Sequence, residues 1–397
     1  MHVLDRPGIA RRIVKPFAAV GAAAVVVVGM AAFALPAGAQ TQRTTAPTYS
    51  VRTILSGQSL HHWYTKAGSK VRHSEALSSP DDITKMDGYL FTAFQNGVGP
   101  QGQASADGNR DSTVVEFTLS GRVVKQWDIR GKCDGLTANP RTGLLVATVN
   151  EDADSSLYTI RPSSGLVVHY SYAKPLPHHG GTDAISFAHG LMLISASAPG
   201  TTGAAAPNPA YPAAYVVTLS KPRHLAYFSP LFYGESHATA ANGPHAGHPV
   251  KLGLTDPDSN EVVPSFEPRF ASDFMLTSQG DKQQIYVSAP GTKRQHLWVL
   301  DLSQSVDDTA WSTSWHGAFY ATSTGDDTVD VINGSFWPGT AFVSVTPCDA
   351  GNAPATCPGP GFPDNYLGQL DMFTGHIAPV PVRGAALHPQ GMIFVAY

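Results

Sequence analysis

The chain has 397 residues, a formal net charge of −4, only 14% charged residues, and 38 glycines with 31 prolines. The charge balance excludes a basic footprint for nucleic acid. Abundant glycine and proline with few charges suit a turn-rich all-β protein, not a helical one.

In chain order, the first feature is a leader. Arg11, Arg12 and Lys15 precede an uncharged Ala/Val-rich stretch from Phe17 to Leu35, and Ala37 to Ala39 offer small residues for cleavage before Gln40. Residues 1–39 are therefore predicted to be an export signal. The arginine pair resembles the twin-arginine type, with Val14 departing from its usual Phe-Leu. The 19 residues from Phe17 to Leu35 are also long enough for an uncleaved anchor, the one membrane contact expected. Residues 40–397 then form a single secreted or cell-envelope domain.

Within that domain one pattern recurs: an acidic or small entry, a short apolar run, a turn, then alternating apolar residues. The copies are Pro80–Phe94, Lys132–Val149, Gly180–Ser197, Ala271–Ser288, Val306–Ser323 and Val382–Tyr397. Each predicts two antiparallel strands around a turn. Second hairpins follow at Thr113–Ile129, Ser156–Tyr172 and Ala214–Pro230. Two hairpins make a four-stranded sheet, and repetition around an axis predicts a β-propeller of six or seven blades. A further hairpin over Asn365–Val382 with Gly339–Val345 accounts for the seventh. The chain ends on an inner strand, so N-terminal segments (YSVRTIL or LHHWYTK) are expected to close the ring and remove free sheet edges. Insertions are placed at 199–213, 234–270 and 347–365.

Three cysteines are present. Cys348 and Cys357 share a Pro/Gly-rich loop and are expected to pair in an exported protein. Cys133 heads an apolar strand and reads as a buried free thiol.

The closing copy, PVRGAALHPQGMIFVAY (Pro381–Tyr397), and LTANPRTGLLVATVN (Leu136–Asn150) resemble the strand pairs of secreted bacterial propellers of the NHL-repeat, strictosidine-synthase-like and gluconolactonase-like group. The resemblance implies a propeller whose central channel binds a ligand. Some members of that group are metal-dependent lactonases or other hydrolases, some are lyases, and many only bind proteins or glycans. The fold does not choose among these.

The candidate site follows from the repeat. Asp82, Asp134, Asp183, Asp273 and Asp308 hold the entry position of five inner copies, while the sixth has Gly384 and Ala385. Aspartates there either cap their own turns or converge on a mouth where a cation or raised pKa values offset their repulsion. His178 and His179 precede Asp183 and are candidates for a base or metal ligand; ordinary loop histidines are the alternative. Asp256, Asp258, Asn260 and Glu267 have the first, third, fifth and twelfth spacing of a calcium loop, but Glu261 replaces the glycine and Pro257 and Pro264 stiffen the segment. A looser oxygen-rich Ca²⁺ site or an Asp-Pro turn are the two readings. Trp311, Trp315 and Trp337 cluster with Phe319, Tyr320 and Phe336, fitting blade packing or a sugar-stacking surface. The expected function is binding of a small molecule, glycan or protein at the acidic mouth, with a divalent cation, Ca²⁺ first, as cofactor. The alternative is a metal-dependent lactonase-like hydrolase with His178 or His179 as base.

Overall fold

A computed structural model describes residues 49–177, 180–197, 211–348 and 364–397. Among these the chain is all-β, with helix confined to single 3-10 turns such as Gly57–Ser59 and Lys221–Arg223. The leader, His178, His179, Cys357 and most of the 199–213 and 347–365 insertions lie outside the described residues. Cys133 is a buried free thiol.

The first sheet is a four-stranded meander, Pro80–Met86, Tyr89–Phe94, Asp111–Thr118 and Val123–Arg130. Its first turn places Asp87 at φ 52° and Gly88 at φ 83°, the paired left-handed conformation that matches the strand twist of a tight hairpin. The second unit (Cys133–Asn139, Leu144–Val149, Ser156–Arg161, Leu166–Tyr172) and the third (Ile185–Ala188, Leu191–Ser195, Pro212–Ser220, Leu225–Tyr233) repeat the meander. They are joined at the rim where Ser171 and Tyr172 pair in parallel with Leu225 and Ala226.

The next unit departs from expectation. Its innermost strand is Pro257–Val262, inside the segment read as an insertion, followed by Phe274–Ser278, Gln283–Ser288 and His296–Asp301. The copy at Ala271–Ser288 is therefore a second and third strand, not an inner pair. Val306–Ser323 is not one hairpin either. Val306–Trp311 pairs with Ala341–Val345, which continues into Tyr366–Leu370 and Ile377–Pro379. Gly317–Ser323 instead enters the neighbouring sheet, between Thr328–Asn333 and the C-terminal strand Met392–Ala396. The N-terminal strand Tyr49–Ser56 completes that sheet. YSVRTIL is thus the closing strand. LHHWYTK is not, and forms a separate hairpin, His61–Thr65 with Arg72–Ala76.

The innermost strands Pro80–Met86, Cys133–Asn139, Ile185–Ala188, Pro257–Val262, Val306–Trp311 and Met392–Ala396 touch in that order, and the last touches the first. This is the ring of a β-propeller. Apolar clusters fill every interface between neighbouring sheets. One joins Phe91 and Val114 to Leu136 and Leu145, and another closes the ring between Tyr320 and Val331 and Ile83 and Phe94. Buried on both faces, second strands such as Tyr89–Phe94 read as nearly continuous apolar runs, while rim strands such as Val123–Arg130 partly alternate.

Candidate functional site

The six inner strands run the same way along the axis, so their starts define one end of a central passage. Two cavities lie there. One, of about 480 Å³, is lined by Asp81, Lys132, Asp134, Glu151, Asp183, Asp256, Asp258 and Asp307 at the strand entries. The other, of about 230 Å³, lies further along the same strands and holds Asp82, Glu261 and Asp308 among backbone and apolar groups.

At the entry end, Gln95 Nε2 donates to Asp81 Oδ2 at 2.8 Å and Asp134 Oδ1 at 3.0 Å. Lys132 Nζ contacts Asp134 Oδ1 at 2.7 Å and also binds Glu151. Burial alone would lower the Lys132 pKa, but Asp134 and Glu151 outweigh it and hold the ammonium charged. Asp134 is 4% exposed, and its Oδ2 has no hydrogen-bond partner. Asp183, Asp258 and Asp307 line the same cavity, with Asp258 close enough to both neighbours for their charges to interact. Burial first, then the neighbouring carboxylates, raises Asp183 and Asp258 well above the usual range. Burial also raises Asp81, to about 7, with Lys132 opposing.

Further along the strands, acids bind the backbone. Asp82 Oδ2 accepts from Leu136 N on the next inner strand at 2.8 Å. Asp308 Oδ1 accepts from its neighbour Thr309 N, and Oδ2 from Met392 N on the next strand, each at 2.6 Å. These carboxylates staple adjacent strands. A Cβ on Gly135 would lie 2.3 Å from Asp183 O, so only glycine admits the strands this close. Burial raises Glu261 to about 8 and Asp308 to about 6.

Four of the five repeat aspartates therefore reach the axis, at two levels. Asp134 and Asp183 line the entry cavity, Asp82 and Asp308 the inner one. Asp273 reaches neither. It precedes a second strand, and burial raises its pKa to about 6 with His189 opposing. The four calcium-loop residues are not brought together. Asp256 and Asp258 face the entry cavity, and Asn260 lines the inner one, donating to Ala184 O at 2.6 Å. Glu267 lines an outer groove instead. The physical reason is that Pro257–Val262 is extended strand, so these side chains spread along the axis instead of wrapping an ion. Among the described residues no group of three or more His, Cys, Asp or Glu is set to hold a metal ion. Sequence reasoning missed Asp81, Lys132, Glu151, Asp307 and Glu261. The doublets Asp81-Asp82 and Asp307-Asp308 were a usable signal, since each sits at a bulge that re-aims one side chain relative to its neighbour.

No family model matches the sequence, and no curated protein matches it. Solved structures resemble the chain distantly. The periplasmic gluconolactonase of Pseudomonas aeruginosa is 11% identical with a TM-score of 0.44, over 88% of this chain and 99% of that one. A Lactobacillus plantarum protein is 8% identical with a TM-score of 0.41, over 88% and 99%. The GH43_1 enzyme of Xanthomonas citri, complexed with xylose, is 12% identical with a TM-score of 0.38, over 65% and 87%. Likeness at this level does not bear on activity.

Proposed function

We propose that the chain is an exported, six-bladed β-propeller that binds a positively charged ligand at the acid-lined end of its axis, with a divalent cation such as Ca²⁺ the first candidate. The row Asp183–Asp258–Asp307 carries this reading. Burial and mutual repulsion favour protons on its carboxyl groups, and a cation entering the cavity takes the place of those protons and gives Asp134 Oδ2 its missing partner. The blade count rests on the closed order of inner strands and the apolar cluster at each interface. Export rests on the leader pattern.

The test is calorimetric titration of the intact chain with Ca²⁺, Mn²⁺ and spermidine in two buffers of different ionisation enthalpy. Binding is expected to release protons, to strengthen as pH rises through about 7, and to raise the melting temperature. Asp258→Asn is expected to abolish all three. Absence of heat and of a melting shift with every cation sinks the reading.

A second reading, a lactonase-like hydrolase, draws on one observation. Burial pushes the Asp81 carboxyl up to about 7 beside Gln95 and Lys132, where a carboxyl is suited to general acid–base work. It requires turnover on a panel of lactones and esters that Asp81→Asn removes. Cation binding without turnover leaves only the first reading.

A further inference from the structure

A different surface carries a second site. Trp311, Phe319, Tyr320 and Phe336 are buried between sheets, as packing predicts, but Trp315 and Trp337 are 53% and 69% exposed. Their rings meet edge-on, with centroids 4.3 Å apart. Leaving such large apolar side chains in water forgoes the gain of burying them. The loop that holds them is nonetheless fixed. Thr340 N donates to Trp337 O at 3.0 Å, Gly339 N donates to Ser312 O at 2.8 Å, and Ser312 Oγ also donates to Trp337 O.

Directly after Trp337 the chain forms one wall of a groove of about 540 Å³ that shares no residue with either axial cavity. Phe266 and Phe373, 52% and 58% exposed, line it together with Pro338. Glu267 also lines it; this residue is only 6% exposed, and its Oε1 has no hydrogen-bond partner. Gly339, at φ +93°, packs against that buried oxygen, where a Cβ would lie 2.8 Å away. Arg269 is engaged elsewhere, donating to Met372 O at 2.8 Å and Phe373 O at 3.0 Å.

We propose that the Trp315–Trp337 platform and the Phe266–Phe373 groove bind a neutral oligosaccharide. Its pyranose C–H faces lie on the electron-rich ring faces, and one of its hydroxyls donates to the Glu267 carboxyl group that lines the groove. Exposed aromatics with a single unpartnered acceptor select a ligand that is apolar on one face and carries O–H donors at its edge. A proline-rich peptide offers carbonyl acceptors and few donors, so it leaves the carboxylate unsatisfied. A phosphodiester chain is repelled by it.

The test titrates the intact chain with cello-, xylo-, malto- and chito-hexaose, following tryptophan emission and mobility in gels carrying the matching soluble polysaccharide. At least one sugar is expected to shift emission and retard migration. Trp337→Ala is expected to weaken that binding about tenfold or more at an unchanged melting temperature, and Glu267→Gln about threefold. The proposal is overturned if no neutral sugar binds, if Trp315→Ala and Trp337→Ala both bind as the parent does, or if a proline-rich peptide binds in place of sugar. Should Glu267→Gln fail to fold, the two exposed tryptophans decide the matter.

Discussion

Asp81 and Asp82 are adjacent in the chain, as are Asp307 and Asp308, yet within each pair the two carboxylates serve two different levels of the axis. Asp81 and Asp307 face the entry cavity, where acids meet acids and one lysine. Asp82 and Asp308 face the inner cavity, where each accepts backbone N–H groups from a neighbouring strand. The same residue type thus stores repulsion at one level and ties the ring together at the next. The bulge in each strand, where the register shifts between Pro80 and Ile83 and between Val306 and Thr309, and not the composition, makes the assignment.

The sharpest way to break this contrast is to remove one acid from each level. Asp308→Ala strands two buried N–H groups and is expected to cost about 2–5 kcal/mol in urea denaturation. Asp307→Ala in the same assay should cost far less. Equal losses would show that both levels are structural.

Lys132→Met comes next. It removes the ammonium from Asp134 and Glu151, leaving two carboxylates in the cavity, and is expected to cost about 3 kcal/mol near neutral pH. Lowering the pH should recover part of that loss, because protonation relieves the uncompensated charge.

Asp258→Asn goes the other way. Folded-state pKa values raised above the unfolded ones give stability that is complete below the unfolded value and is lost as pH rises through the folded value. The cation-free parent is therefore expected to lose stability between about pH 4 and pH 8, spanning the unfolded aspartate value and Asp81 at about 7. Asp258→Asn should flatten that slope and stabilise the protein by about 1 kcal/mol at the alkaline end. A melting profile as steep as the parent's would place the titration elsewhere.

The smallest effect lies outside the ring. His62 is buried in the separate hairpin, with Nε2 3.0 Å from Glu75 and Nδ1 3.4 Å from Asp128 on the first sheet's rim strand. Burial lowers its pKa, but the two carboxylates outweigh this and raise it overall. This docking is strongest below the unfolded histidine value of about 6.5 and fades as pH rises through the higher folded value. His62→Gln is expected to cost about 1 kcal/mol near pH 6 and less near pH 8. Hydrogen exchange of the hairpin amides would detect it, and a cost independent of pH would exclude the charged contact.

Much of the architecture was legible locally. Asp87-Gly88 and the alternating runs beside it mark a hairpin because a tight turn needs left-handed residues, and each meander of the first three sheets lies where the pattern put it. The failures occur where sequence order and spatial order part. Pro257–Val262 was hidden because one proline and four polar residues do not read as an inner strand, so Asp273 was assigned an entry position it does not have. Val306–Ser323 looked like one hairpin, but its halves belong to neighbouring sheets. No local signal reports that exchange.

Turn chemistry and two-residue periodicity, encoded residue by residue, sufficed for an all-β chain of repeated hairpins with acids near the start of several strands. Only closure of the ring decided which of those acids share a cavity and which bind a neighbour's backbone. The reason is one of range: strand pairing within a hairpin spans a few residues, whereas the meeting of Asp183 with Asp258, or of Asp308 with Met392, depends on how whole sheets pack around the axis.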